Sequence, residues 1–139
     1  MLFRSSSRAW AQNGAVQAEF GNIEEAVRHY TEAIRIVPTE ISYYCSRGCL
    51  YIKTGQLNDA TADFQQCLAI DANHAVAYMH LGLIFRTNDD VRKAIELFTK
   101  AIEIDPNYAA AYQNRAVAYS SLGDKYKADK DIATAQRLG

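Results

Sequence analysis

Turn-forming residues are scarce in this chain. Two prolines and seven glycines in 139 residues are too few to punctuate a many-stranded β-fold, and Val, Ile and Thr do not gather in short alternating runs. An all-α chain is expected. Long apolar runs are also missing: none approaches the ~18 residues of a membrane span. An excess of either charge is missing too. Fifteen basic side chains face sixteen acidic ones, for a net charge of −1, which argues against nucleic acid or an anionic membrane as partner. No secretory apolar segment precedes the three cysteines; their odd number points to free thiols in a reducing, cytoplasmic setting.

Catalytic patterns are absent in the same way. His29, His74 and His80 lie in separate stretches, none with Asp, Glu or Ser at a spacing that suggests a triad or a carboxylate pair. There is no glycine-rich phosphate loop, HExxH or CxxC. The expectation is a protein that is not an enzyme and holds neither cofactor nor metal. Residues 1–7 (MLFRSSS) carry Arg4 and no acid, which faintly suggests an organellar leader. The stretch is too short for one, because helical patterning begins near Arg8.

What the chain does have is a period. A shift of 34 residues superimposes Trp10, Tyr44, Tyr78 and Tyr112; Gly14, Gly48, Gly82 and Ala116; Gly21, Gly55, Asp89 and Gly123; and Ala26, Ala60, Ala94 and Ala128. Further columns are Tyr30, Phe64, Phe98 and Ile132; Ala33, Cys67, Ala101 and Ala135; and Pro38, Ala72 and Pro106. Four units follow, 7–40, 41–74, 75–108 and 109–139, read as one domain. Inside each, apolar residues recur at helical spacing, as in Tyr78, Leu81, Gly82 and Phe85, then Val91, Ala94, Ile95 and Phe98. Each unit is therefore expected to be a helical hairpin. The Gly21, Gly55, Asp89 and Gly123 column sits at its turn, where a left-handed conformation is wanted. Pro38 and Pro106 close the second helix.

The pattern W/Y-x3-G/A-x2-Y/F, a glycine, A-x3-Y/F-x2-A and a closing proline resembles the tetratricopeptide repeat, over residues 7–139. Departures are Gln17 for an aromatic, Cys67 for alanine, Asp89 for glycine and Ala72 for proline. The resemblance implies an α-solenoid of four hairpins wound as a right-handed superhelix, with a concave groove lined by the first helix of each hairpin. Lys125, Asp129 and Gln136 stand where earlier second helices are apolar, and Asn13 and Gln17 do the same on the first helix. Both ends are therefore expected to be solvated and the protein monomeric.

On the first helices, the stripe opposite the packing residues is the candidate groove. It carries Arg8, Ala11 and Ala15; then Cys45, Cys49, Ile52 and Lys53; then Val76, Met79, His80, Leu83 and Arg86; then Gln113, Asn114 and Val117. A mostly small or apolar floor with cations towards its ends suits an amphipathic helix or extended peptide with apolar anchors and an acidic rim residue. The expected function is a protein–protein interaction module, an adaptor or scaffold. The alternative is a structural spacer with no groove ligand. Family members that hold the C-terminal carboxylates of Hsp70 or Hsp90 use paired cations on these helices. Here those columns read Ala11, Ala15, Ser46, Val76 and His80, or Cys45, Cys49, His80, Ala110 and Asn114, so that role is not expected. Cys45, Cys49 and His80 could offer three soft ligands to a metal, but no fourth is evident, and the cysteines are read as small apolar fillers.

Overall fold

The computed structural model describes residues 2–139, with side chains from Arg4 onward. Eight helices follow one another among the described residues: α1 (Leu2–Glu19), α2 (Ile23–Ile36), α3 (Ile41–Lys53), α4 (Leu57–Ile70), α5 (Ala75–Thr87), α6 (Val91–Ile104), α7 (Ala109–Ser121) and α8 (Lys125–Leu138). They pair as four hairpins, α1–α2, α3–α4, α5–α6 and α7–α8, which is the all-α repeat architecture that the 34-residue period implied. The predicted hairpin turns are left-handed at all four positions: Gly21, Gly55 and Gly123 have φ of 81°, 76° and 79°, and Asp89 has φ of 63°. Among the described residues, side chains secure the starts of α5, α6 and α8. Asp90 and Asp124 accept from the backbone N–H of Lys93 and Lys127, and His74 Nδ1 accepts from Ala77 N–H. In one respect the sequence reading fell short. α1 begins at Leu2 rather than near Arg8, because Ser7 turns inward, donates to Arg4 O at 2.8 Å and meets the Tyr43 hydroxyl at 3.0 Å.

The helices form two compact units, one ending at Ala72 and the other running Asn73–Gly139. In the first, α2 packs against both α1 and α3. Its core gathers Ala26, Tyr30 and Ala33 of α2 with Tyr43 and Leu50 of α3. In the second, α6 packs against α5 and α7, and Ala94, Phe98 and Ala101 of α6 meet Met79 of α5 and Ala111 and Ala118 of α7. Within each unit the later first helix, α3 or α7, therefore buries two faces, one on its own hairpin partner and one on the second helix of the hairpin before it.

The small-residue columns permit close crossings. A Cβ on Gly48 would come within 2.8 Å of the Phe64 ring, and one on Gly82 within 2.5 Å of the Phe98 ring. The closing prolines have partners as well. Tyr44 donates to Pro38 O at 2.8 Å and Tyr112 to Pro106 O at 3.0 Å, tying the start of a first helix to the loop before it. Two members of the repeat columns are less enclosed. Trp10 is a surface residue set edge-on to His29, with ring centroids 5.2 Å apart, and Ile132 of α8 is exposed although Tyr30, Phe64 and Phe98 in its column are buried. Lys125, Asp129 and Gln136 are exposed on the same helix.

Candidate functional site

Each unit presents the stripe that the sequence singled out on its own first helices. In the first unit, Arg8, Ala15 and Lys53 are exposed, while Ala11, Cys45, Cys49 and Ile52 are half-buried. The sulfur of Cys45 does not turn to Cys49: it lies 3.1 Å from that of Cys67 on α4. Among the described residues no group of three His, Cys, Asp or Glu side chains is placed to hold a metal ion.

In the second unit the stripe is better defined. Val76 on α5 and Val117 on α7 are 38% and 52% exposed. Arg86 reaches from α5 to α7, donating to Asn114 Oδ1 at 3.2 Å, and Asn114 donates to Ala110 O at 2.8 Å. The guanidinium is thus held in place by a neutral amide, and among the described residues no carboxylate forms an ion pair with it. His80 is half-buried on α5. Burial, followed by the nearby His74, holds its imidazole below the ordinary value of 6.5, so the face carries a neutral ring at that position.

Met79 departs from expectation. At 7% exposure it belongs to the core with Phe98 and Ala111, and Leu83 packs half-buried against the same cluster. The cause is that α5 meets α7 as well as α6: one helical step moves a residue about 100°, so the band that these two helices cover reaches into the stripe taken from α5. The exposed apolar side chains of this stripe on α5 and α7 are Val76 and Val117. Val117 and Gln113 also line a second hollow, a cleft of about 400 Å³ between α7 and α8 that includes Ala116, Ser120, Ile132, Ala135 and Gln136.

The sequence reading missed a pair of charged anchors. Arg47 on α3 forms a two-pronged ion pair with Asp63 on α4 (2.9 and 2.6 Å) and donates to Thr31 on α2 at 3.0 Å, with its guanidinium over Tyr51. Arg115 on α7 repeats the arrangement with Asp131 on α8 (2.7 and 2.8 Å) and Thr99 on α6 at 3.2 Å, next to Tyr112 and Tyr119. Hydrogen bonding to the carboxylate, opposed by burial, leaves both guanidiniums more firmly charged than usual. Arg, Asp and Thr recur here at 68 residues, twice the repeat length. The odd-numbered repeats place Asn13 and His29, or Leu81 and Leu97, in the Arg and Asp columns. A search at double the period would have found it. The role is structural, since each arginine joins three helices of its own unit.

Comparison with known proteins accords with this architecture. Models of the tetratricopeptide repeat match residues 41–74, 75–108 and 97–136. No curated protein sequence matches the chain significantly. Among solved structures, MamA from Desulfovibrio magneticus RS-1 aligns with a TM-score of 0.83 at 22% identity, over 95% of this chain and 75% of that one. PilF of Pseudomonas aeruginosa aligns with a TM-score of 0.87 at 16% identity, over all of this chain and 64% of that one. The first such domain of Spaghetti (RPAP3), solved with the HSP90 peptide SRMEEVD, aligns with a TM-score of 0.80 at 18% identity, over 86% of this chain and 94% of that one.

Proposed function

Because the chain belongs to the tetratricopeptide repeat family, we propose that it is a non-catalytic interaction module that holds a segment of another protein against its first helices. The observation that carries this reading is the α5–α7 face. Val76 on α5 and Val117 on α7 are exposed, and Arg86, which reaches from α5 to Asn114 on α7, has no carboxylate ion-pair partner among the described residues. Burying Val76 and Val117 under a ligand would remove apolar surface from water, worth about 25 cal/mol per Å². Arg86 is oriented in advance and would meet an acidic residue at little cost in side-chain entropy. The occupant is accordingly an amphipathic helix or extended segment with apolar anchors and at least one carboxylate.

A peptide that must be held by paired carboxylates is not the expected ligand. Ala11, Ala15 and Ser46 in one unit, and Val76, His80 and Ala110 in the other, supply no pair of cations for two carboxylates.

The test uses a peptide selected against the protein from a random display library. Val117→Glu is expected to abolish its binding, because the ligand would have to desolvate an unpaired carboxylate. Stability should change by no more than about 0.5 kcal/mol, since position 117 is exposed. Ile132→Glu, which alters the α8 wall of the α7–α8 cleft, should leave binding intact. Loss of binding with Ile132→Glu alone would move the site to that cleft. Failure of repeated selections to yield any ligand sensitive to position 117 would favour a spacer.

A further inference from the structure

Repeat two differs from the others at a helix crossing. The columns that meet there read Ala11 and Ala33, Cys45 and Cys67, Met79 and Ala101, and Gln113 and Ala135. Only one of the four crossings therefore has sulfur on both helices. The two sulfurs lie 3.1 Å apart, Cys45 on α3 half-buried and Cys67 on α4 at 0% exposure, and both are free thiols. A disulfide has an S–S bond of about 2.05 Å, so about an ångström of approach separates contact from bond. Cys49, one turn from Cys45 on α3, has its sulfur on the same helix, where regular geometry does not favour closure.

We propose that Cys45 and Cys67 are a reversible oxidation site, closed to a disulfide by a peroxide-class oxidant and reopened by thiol reductants. The roles follow from the surroundings. Cys45 is the sulfur that an oxidant can reach. Its thiol lies below the usual range because the Cys67 S–H bonds to it, while burial pushes the Cys49 thiol up. Cys45 is therefore the attacking thiolate. Its sulfur displaces hydroxide from hydrogen peroxide, breaking the O–O bond and forming a sulfenic acid. The hydroxide takes up the thiol proton and leaves as water. The Cys67 sulfur then attacks the Cys45 sulfur and expels the sulfenic oxygen, which departs as a second water with the Cys67 proton. In total, two thiols and one peroxide give one disulfide and two waters, the sulfurs losing two electrons and the peroxide gaining them. Closure would staple α3 to α4 inside one hairpin and restrict the unfolded chain.

Tryptic cleavage separates the three cysteines onto residues 36–47, 48–53 and 54–86, which makes the test direct. Reduced protein is treated with hydrogen peroxide, its remaining thiols are alkylated, and it is digested without reductant. The expected product is 36–47 linked to 54–86, lighter by two hydrogens and released by dithiothreitol, with Cys49 alkylated. The oxidised protein should also melt at a higher temperature. A link involving 48–53 as the main product, or alkylation of all three cysteines after peroxide, would overturn the proposal. Cys67→Ser cannot close the disulfide but keeps a hydrogen-bond donor beside the Cys45 sulfur. In that variant Cys45 should stop at a sulfenic acid that dimedone labels. An unlabelled Cys45 would overturn its assignment as the attacking thiol.

Discussion

Asp63 is 5% exposed at its side chain and Arg47 17%, and a charge this enclosed is tolerated only while it is paired. Asp63→Leu leaves Arg47 without its carboxylate and is expected to cost about 3–5 kcal/mol. The double variant Arg47→Leu/Asp63→Leu installs the Leu81 and Leu97 pair that repeat three already uses, and should recover most of that loss in urea unfolding. A double variant as unstable as the single one would mean that the bond to Thr31 or the contact with Tyr51 matters more than the ion pair. His80 gives the second expectation at this scale. Its folded-state value lies below the ordinary 6.5, so between the two values the unfolded chain binds the extra proton. The contribution of a neutral His80 is complete above about pH 6.5 and is lost as pH falls through that window. Melting temperature should therefore drop between about pH 7 and pH 5, and less so in His80→Leu. Equal slopes for the two proteins would contradict it. Neither feature was legible at a period of 34, since one recurs at 68 and the other depends on burial.

Hairpins were the most legible element. The turn column and the glycine column each name a backbone requirement, and both requirements are met at the expected positions. The crossings rank by tightness: a Cβ at position 82 would stand 2.5 Å from Phe98, at 48 it would stand 2.8 Å from Phe64, and at 14 it would stand 3.0 Å from Tyr30. Alanine substitutions should therefore destabilise in the order Gly82, Gly48, Gly14. Gly82→Leu should cost about 1–3 kcal/mol or more by overpacking. Thermal melts of the series check this, and a flat series would mean that the rings swing aside freely. What the period concealed was the second buried face of α3 and α7. Tyr43, Leu50, Ala111 and Ala118 form it, yet the apolar spacing on a single helix does not say which neighbour covers which side. Met79 was assigned to the groove because the spacing on α5 likewise does not say that α6 and α7 cover it, and Leu83→Glu would disturb the core as well as any ligand.

At the scale of the whole molecule, the family and the repeat plan follow from the sequence, because every unit obeys the same local rules. The ligand face follows less completely, because it is defined by what neighbouring hairpins leave uncovered. Val76, Arg86, Asn114 and Val117 remain available on α5 and α7, while α6 and α8 offer their outer faces to water. Hydrogen exchange of the amides, with and without a library-selected peptide, tests this most directly, since a ligand laid on a helix suppresses its local opening. Protection is expected along α5 and α7, centred on residues 76–86 and 113–117, with α6 and the outer face of α8 unchanged. Protection confined to α8 around Ile132 and Gln136, with α5 unaffected, would contradict the assignment of the first-helix face as the binding surface.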